Sequence, residues 1–388
     1  MIPYSRQTIT FSDALYVARQ VKYKSLTQGE EIQRFEKAIT SYVGAKYAVA
    51  VSSATAGLHI AHLALDRPTG STVVTSPISF VASANSIIYA GLKPLFVDID
   101  LNSGNLSAIK LEEAINSQEI STVVPVHYAG NPCDMKHIYN LCKNRNISII
   151  EDAAHALGSS YKSGEKIGSC KYSDLTVFSF HPVKSITTGE GGVITTNNPT
   201  LYARLLKLRS HGIQKGNQEP FNEIIGKTDK VNNSWYYEMD SLGYHYRLTE
   251  IQAALGTSQM RRIHKFMANR KKIAHRYDHL LSGLNAFKPI EHESRAMSAN
   301  HLYPVAVDFN KISCSKNELI RRLRANGIMT QVHYLPIPLH PYYQKLGYNM
   351  HLLPNAFNFY FQILSLPIYP KLSYRSQKRI VNALIDFS

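Results

Sequence analysis

The chain has 388 residues, of which 44% are hydrophobic and 18% are charged, so it is too apolar for a disordered protein and long enough to bury two cores. Its net charge of +15 can attract nucleic acid, but the basic residues are scattered, and their densest runs follow the pattern of exposed helix faces. We therefore expect no nucleic-acid partner and favour a phosphorylated small molecule as the ligand.

The cysteine pattern and the N-terminus indicate a cytoplasmic protein. The four cysteines show no CxxC spacing and are too few for a disulfide framework, which fits a reducing compartment and argues against a zinc ribbon. We assign no metal site. The first ten residues lack the apolar centre of a signal peptide, and the most apolar window, residues 47–65, contains Ser, Thr and His. We therefore expect a soluble chain with no membrane partner.

The first half of the chain alternates between helical patterns and short apolar runs. A helix is predicted at about 30–42, and it ends before Gly44, a typical C-cap. Runs rich in Val and Ile predict strands at 47–51, 72–76, 94–98, 122–126 and 147–152, with helices between them at 55–66, 80–90, 107–116 and 133–144. Continuous apolar strands that alternate with helices indicate an α/β fold with a mostly parallel central sheet.

The second half of the chain has a different character. Two further strands are predicted at 175–180 and 191–196, with much shorter connections. Long helical patterns follow over 248–283, and then strands and helices are mixed. We therefore predict a large domain over residues 1–255, which includes the N-terminal segment, and a smaller C-terminal α+β domain over 256–388.

The loops that follow the predicted strands carry the candidate chemistry, because ligands of such sheets bind at the carboxyl ends of the strands. After the strand at 47–51, the small residues 52–57 open a helix. Backbone N–H groups at a helix N-terminus bind anions, and the hydroxyl groups there add donors. An ordinary N-cap by Ser53 or Thr55 would explain the same residues.

An acidic residue ends the strand at 147–152. The strand delivers Asp152 to the ligand edge of the sheet, followed closely by His155. A carboxylate at that edge can be a metal ligand, a catalytic acid or base, or the ion-pair partner of a cationic ring nitrogen. Many strands also end in a solvated aspartate, so this residue alone does not identify the site.

The segment SFHPVKSITTGEGG, residues 179–192, is the most informative. Lys184 follows an apolar strand and enters a turn rich in Gly and hydroxyl residues, where a lysine can have a lowered pKa and form a Schiff base. A surface lysine in a turn is the ordinary alternative. Asp152, the loop at 53–55 and Ser179 favour the first interpretation, because together with Lys184 they provide what pyridoxal phosphate requires. Phe80 can cover the cofactor ring, although an aromatic residue there is commonly part of a core.

A series of motifs then makes a family resemblance specific. SSATAGLH, TSPISFVASAN, EDAAHALG, SFHPVKSITTGEGG, RSHG, GYHYRLTEIQAALG, NHLYPV and QVHYLPI occur in this order, within a match that runs from Tyr4 to SLPIYP at 365–370. The chain resembles the DegT/DnrJ family of pyridoxal-phosphate sugar aminotransferases, which have fold type I. TSPISFVASAN, PVHYAGNPCDM, SFHPVK and WYYEMDSLGY most resemble the members that transaminate C4 of a UDP-linked 4-keto-6-deoxy-N-acetylhexosamine in pseudaminic acid biosynthesis.

The resemblance implies a role for each residue of the cofactor site. Lys184 would form the Schiff base and move the proton between the cofactor and the sugar C4, and Asp152 would pair with the pyridinium nitrogen. The remaining contacts would be Phe80 stacked on the ring, His155 near the ring, and Ala54, Thr55 and Ser179 on the phosphate.

The resemblance also implies two substrates, a nucleotide sugar and an amino-acid donor, with glutamate as the expected donor. The residues expected to reach the nucleotide sugar are Tyr4, Lys24, Ser25, Leu26, Thr27, His301, Tyr303, Gln331, His333 and Tyr334.

One position departs from the family pattern. The family motif G-x-N-Y-R contains an Asn that reaches the cofactor phosphate of the partner subunit, and this chain has His245 there. The resemblance therefore implies a homodimer with shared active sites. An imidazole can also donate a hydrogen bond, so His245 can keep the contact. The alternative is that His245 turns away and that a water or another side chain replaces it.

Two alternatives remain open at this point. The same chemistry can act on another nucleotide ketosugar, dTDP- or GDP-linked, at C3 or C4. A non-catalytic regulator can also use this fold, but the retained Lys184, Asp152 and Ser179 disfavour it. Lys184 also argues for transamination, because the sugar dehydratases of this fold have histidine at that position.

Overall fold

The computed structural model of the chain describes residues 1–215, 219, 223–292 and 295–387. Seven strands form its central sheet: β1 Tyr47–Val51, β2 Thr72–Thr75, β3 Lys93–Phe96, β4 Thr122–Val124, β5 Ser148–Asp152, β6 Leu175–Ser179 and β7 Gly192–Thr196. Their spatial order is β1-β7-β6-β5-β4-β2-β3. Only β7, which lies between β1 and β6, runs antiparallel to its neighbours in this sheet. The predicted strands and the mostly parallel α/β sheet are thus confirmed.

Helices connect these strands and cover the sheet. The helices up to residue 260 are α1 Phe11–Tyr23, α2 Glu30–Val43, α3 Ala54–Leu65, α4 Ala82–Tyr89, α5 Ala108–Ser117, α6 Met135–Cys142, α7 Pro199–Arg209, α8 Glu223–Gly226 and α9 Glu250–Met260. Gly44 ends α2 with a φ of 84°, a left-handed conformation that suits glycine, as the sequence predicted. The structure adds α1, which the sequence analysis did not predict.

The segment between α7 and α9, which we call the excursion, has its described strands outside the central sheet. It contains β8 Ile213–Lys215, β9 Lys227–Thr228, β10 Val231–Asn232 and β11 Tyr237–Met239. β8 pairs with β11 and β9 pairs with β10, both antiparallel. Apolar side chains of this excursion are largely exposed, among them Ile224 at 92%, Trp235 at 74% and Leu242 at 74%. A single chain therefore leaves apolar surface uncovered here.

The C-terminal part forms a second layer with its own core. Its strands are β12 Phe287–Pro289, β13 Tyr303–Val307 and β14 Ile363–Leu366, which form an antiparallel sheet. Its helices are α10 Ile263–Leu281, α11 Lys316–Ala325, α12 Pro341–Lys345, α13 Pro354–Gln362 and α14 Tyr374–Ile385. Apolar residues of α10, α11 and α14 pack with those of the sheet. Within the described ranges, no helix combines the length and the apolar character that a membrane span requires.

Helix α10 passes from the large core to the small core. α9 runs through the expected boundary at 255–256 and packs on α1 and α2. Phe266 and Met267 of α10 belong to the large core, whereas Ile273 and the residues after it belong to the small core. Ile2 also joins the small core and pairs with Ile328. We therefore propose that the domains meet within α10 and that the N-terminus belongs to the small domain.

Phe35 of α2 is central to the large core. It is fully buried, and its ring lies edge-on to that of Phe180, with the ring centroids 5.1 Å apart. Gly256 of α9 allows this packing, because a Cβ at that position would lie 2.6 Å from the Phe35 ring. Phe180 follows β6 directly and precedes the turn that carries Lys184. The Phe35 ring therefore packs against the segment that leads from β6 into the Lys184 turn.

We expect Phe35→Ala to lower the free energy of unfolding by about 3 kcal/mol or more, because it leaves a cavity between α2, α9 and Phe180. Phe35→Leu retains part of the volume and should cost less. Urea unfolding followed by circular dichroism measures both changes. A Phe35→Ala protein within about 1 kcal/mol of the wild type would contradict this view of the core.

Candidate active site

A cavity of about 620 Å³ opens at the carboxyl edge of the central sheet, between the two cores. Many residues that the sequence analysis selected line it together: Tyr4, Ala54, Thr55, Phe80, Asp152, His155, Ser179, Lys184, His301, Gln331, His333 and Tyr334. They come from segments that are far apart in the sequence. The fold therefore brings all of the predicted cofactor residues except His245, and half of the predicted substrate residues, to one place.

Other predicted residues lie outside this cavity. Lys24, Ser25, Leu26 and Thr27 form an exposed segment between α1 and α2. His245 is also exposed, and its ring lies beside that of His211, with the centroids 5.4 Å apart.

Tyr303 does not face the cavity, contrary to the expectation from the sequence. It begins β13 on the face that packs against α10, with its ring centroid 4.7 Å from that of Tyr277. Its hydroxyl donates to Asp278 Oδ1 at 2.7 Å. The side chain is therefore part of the small core, and we withdraw it from the substrate site.

Lys184 lies in the tight turn after β6. Its backbone N–H donates to the His181 carbonyl at 2.9 Å, and the Thr188 N–H donates to the Phe180 carbonyl at 3.0 Å. These bonds fix the lysine at the wall of the cavity. Burial lowers the pKa of Lys184 to about 8, although the nearby Asp152 charge opposes the shift. A useful fraction of the amine is therefore neutral, and nucleophilic, near neutral pH.

Asp152 ends β5 and faces the same cavity. Its Oδ1 accepts from the Ala154 N–H at 3.1 Å, and its Oδ2 accepts from the Ser83 hydroxyl at 2.6 Å. The Ser79 hydroxyl lies 2.6 Å from that of Ser83. These two serines were not predicted from the sequence as site residues, although both occur in TSPISFVASAN. Their spacing of four residues, on either side of Phe80, is the signal that could have identified them.

Glu151, one residue earlier, faces the opposite side of the sheet. Its carboxylate is fully buried and accepts from His127 Nε2 at 2.8 Å, from the Tyr161 hydroxyl at 2.7 Å and from the Thr176 hydroxyl at 2.9 Å. Burial raises the pKa of Glu151, but the hydrogen bonds from His127 and Tyr161, together with the charge of His127, outweigh burial and hold that pKa below its usual value. Glu151 is therefore a satisfied core carboxylate with no access to the cavity.

The N-terminus of α3, at the end of β1, lines the cavity and can serve as an anion cup. Ser53 caps the helix by accepting from the Ala56 N–H at 3.1 Å, so the ordinary N-cap interpretation is correct for this side chain. The first N–H groups of a helix have no partner within it and remain available to an anion. β7 passes directly behind them, since a Cβ at Gly192 would lie 2.7 Å from the Ala54 nitrogen. The Ser53 side chain can therefore cap α3 while other N–H groups at the start of the helix remain available to an anion.

Three histidines, His155, His301 and His333, also line the cavity. The His155 and His301 ring centroids lie 4.5 Å apart, and His155 Nε2 lies 3.0 Å from the Tyr334 hydroxyl. Burial lowers the pKa of His155 and of His301 well below the usual value, and lowers the pKa of His333 to about 3. All three rings are therefore neutral at pH 7. Among the described residues, Nδ1 of His155 and Nδ1 of His301 find no hydrogen-bond partner.

We expect amine labelling of Lys184 in cofactor-free protein to rise with pH and to reach half of its maximal rate near pH 8, well below the ordinary lysine pKa of 10.5. Asp152→Asn should move this midpoint to lower pH, because the carboxylate charge favours the ammonium form. Mass spectrometry of the labelled peptide, with Lys184→Ala protein as the blank, measures the rate. A midpoint above pH 10 in the wild type would show that the side chain is not desolvated.

Comparison with known sequences places the chain in a family. The sequence profile of the DegT/DnrJ/EryC1/StrS aminotransferase family matches residues 8–385. The chain is 38% identical over 388 residues to the UDP-4-amino-4,6-dideoxy-N-acetyl-beta-L-altrosamine transaminase of Campylobacter jejuni subsp. jejuni serotype O:23/36 (strain 81-176), covering 100% of this chain and 97% of that protein. It is also 38% identical over 388 residues to the spore coat polysaccharide biosynthesis protein SpsC of Bacillus subtilis (strain 168), covering 99% and 96%.

A solved structure shows the same fold. Helicobacter pylori PseC, an aminotransferase involved in the biosynthesis of pseudoaminic acid, superposes with a TM-score of 0.89 at 33% identity, over 99% of this chain and 98% of that chain. Sequence and fold agree over almost the whole length. The chain therefore belongs to the DegT/DnrJ/EryC1/StrS aminotransferase family, whose members depend on pyridoxal phosphate.

Proposed function

We propose that this aminotransferase transfers an amino group to C4 of a UDP-linked 4-keto-6-deoxy-N-acetylhexosamine, in the biosynthesis of pseudaminic acid. The observation that carries the proposal is the meeting of Lys184, Asp152 and the α3 anion cup in one cavity. Whole-length similarity to the Campylobacter transaminase supports the choice of sugar. The product is the corresponding UDP-4-amino-4,6-dideoxy-N-acetyl-β-L-altrosamine.

The residues of the cavity fit pyridoxal phosphate. The α3 N-terminus with Ser179 suits the phosphate, and Asp152 suits a protonated ring nitrogen. Phe80 is 59% exposed in the single chain and lines the cavity, where it can cover a planar ring. The unpartnered Nδ1 of His155 offers a further polar contact. When bound, the cofactor supplies an aldehyde that carries the amino group and a ring that accepts electrons.

Each of these side chains has a distinct part in the proposed reaction. Lys184, with a pKa of about 8, acts as the nucleophile and carries the proton to and from the sugar C4. Asp152 provides the fixed negative charge that stabilises positive charge at the ring nitrogen. The neutral rings of His301 and His333 offer polar contacts to the sugar, and that of His155 offers one to the cofactor, without adding charge to the cavity. We propose glutamate as the amino donor because the chain resembles this family.

We further propose that the protein is a homodimer whose two active sites are shared. The exposed apolar side chains of the excursion, such as Trp235 and Leu242, support an interface there, because monomers rarely leave such surface uncovered. His245 and the segment at 24–27 are exposed and lie outside the chain's own cavity. In a dimer, His245 and the segment at 24–27 could contact the active site of the neighbouring subunit. We assign His245 to the partner's cofactor phosphate and residues 24–27 to the partner's nucleotide sugar.

The activity test separates the two half-reactions. With bound cofactor, glutamate alone should bleach the absorbance near 420 nm, and the UDP-4-ketosugar should restore it. Mass spectrometry should then show the amino sugar, and Lys184→Ala should abolish turnover. Parallel incubations with dTDP- and GDP-linked ketosugars test the alternative substrates.

Faster turnover of a dTDP- or GDP-linked sugar would overturn the assigned sugar while leaving the aminotransferase chemistry intact. Bound cofactor that responds to neither glutamate nor any sugar would favour the regulator instead. Other amino acids in place of glutamate test the donor.

The shared site is tested by complementation. His245→Ala should release cofactor more readily than the wild type, whereas His245→Asn should retain it. Co-expressed Lys184→Ala and His245→Ala subunits should regain activity at limiting cofactor, because roughly a quarter of the sites in a random mixture of two-fold dimers are intact. A monomer with full activity in sizing experiments, or no regain in the mixture, would contradict the proposal.

A further inference from the structure

Two buried serines connect the start of α4 with Asp152. Ser79 immediately precedes Phe80, and Ser83 is the second residue of α4. They are 4% and 1% exposed, and both line the cavity. The Ser83 hydroxyl lies 2.6 Å from Asp152 Oδ2, and the two serine hydroxyls lie 2.6 Å apart. The three side chains thus form a continuous line of short contacts in the wall of the cavity.

The order of the protons along this line follows from counting donors. A carboxylate only accepts hydrogen bonds, so the Ser83 hydroxyl must donate its one hydrogen to Asp152. The Ser83 oxygen can then only accept from Ser79, so the Ser79 hydroxyl donates to it. Every hydroxyl in the line therefore points toward Asp152, and each donation strengthens the next.

We propose that Ser83, assisted by Ser79, is a positioning residue that fixes the Asp152 carboxylate for the ring nitrogen of the cofactor. This inference rests on the proposed function. Ser83 holds Oδ2 and the Ala154 N–H holds Oδ1, so the carboxylate cannot rotate freely. An ionised carboxylate has about four lone-pair sites, and two donors leave room for a third, the protonated ring nitrogen.

The position of Ser79 also links the support of Asp152 to the residue that can cover the cofactor ring. Ser79 is bonded directly to Phe80, which also lines the cavity. The residue that aligns the ring nitrogen and the residue that covers the ring therefore belong to one segment, 79–83. A change in that segment would move both contacts together.

The next turn of α4 provides a matched control. Ser86 is fully buried, but its hydroxyl donates to the Ser83 carbonyl at 3.1 Å within the same helix and does not contact Asp152. Ser86→Ala therefore removes a buried serine hydroxyl from α4 and leaves the line to Asp152 intact. A difference between Ser83→Ala and Ser86→Ala isolates the contact with Asp152 from the general cost of the substitution.

The experiment uses the full chain loaded with pyridoxal phosphate that carries ¹⁵N in the ring. In Ser83→Ala, the ¹⁵N resonance should move from the protonated toward the neutral pyridine position, because a poorly aligned carboxylate holds the ring proton less well. Turnover should fall roughly tenfold, which corresponds to about 1.4 kcal/mol of lost transition-state stabilisation. Ser83→Thr, which keeps the hydroxyl, should restore the resonance, and Ser86→Ala should match the wild type.

Ser79→Ala serves if Ser83→Ala does not fold. It keeps the donation from Ser83 to Asp152 and removes only the second hydroxyl, so a smaller shift in the same direction is expected. Wild-type resonances in both alanine variants would overturn the inference while the proposed function stands. The ring-nitrogen readout needs only bound cofactor, so a different sugar substrate would not affect it. A wild-type chain that binds no cofactor would overturn both.

Discussion

The end of β5 carries two carboxylates in succession, and the site depends on the opposite environments that the strand gives them. Successive side chains of a strand face opposite sides of the sheet. Glu151 therefore enters the core, where His127, Tyr161 and Thr176 satisfy it. Asp152 faces the cavity and keeps accepting capacity for a ligand. A slip of one residue in the pairing of β5 would exchange the two environments. The buried hydrogen bonds of Glu151 thus hold the register that presents Asp152.

Much of the fold was readable from the sequence, because buried parallel strands are continuous apolar runs and the helices between them keep their own period. The cofactor residues were readable because each follows a strand at the same edge. Contacts that depend on tertiary geometry were not. The bond between Ser83 and Asp152 joins segments 69 residues apart, and the inward turn of Tyr303 depends on its packing against α10. Helix α1 was also not predicted. The strands of the excursion before α9 were not predicted either, because apolar residues such as Trp235 are exposed there in the single chain and do not follow the pattern of a buried strand.

The charge of the cavity differs from that of the whole chain. The protein carries a net charge of +15, yet burial keeps His155, His301 and His333 neutral. Lys184 and Asp152 provide a pair of opposite charges in the cavity, and Asp152 favours the ammonium form of Lys184 while burial opposes it. This balance places the amine close to its point of half-protonation near pH 8. A group near that point can both attack a carbonyl and return a proton without a large change in pH.

Helix α10 is shared by both cores, and this sets how the cavity can respond to ligands. Its 19 residues contain neither Pro nor Gly, so it has no obvious point at which to bend. Arg270, halfway along it, donates to the carbonyls of Asn300, His301 and Ile368, which ties the His301 segment to the same helix. The large core and the small core, which flank the cleft, are thus both attached to one helix about 28 Å long. A helix shared in this way favours a cleft of nearly constant width, and in such a cleft little of the binding free energy of a ligand is needed for closure.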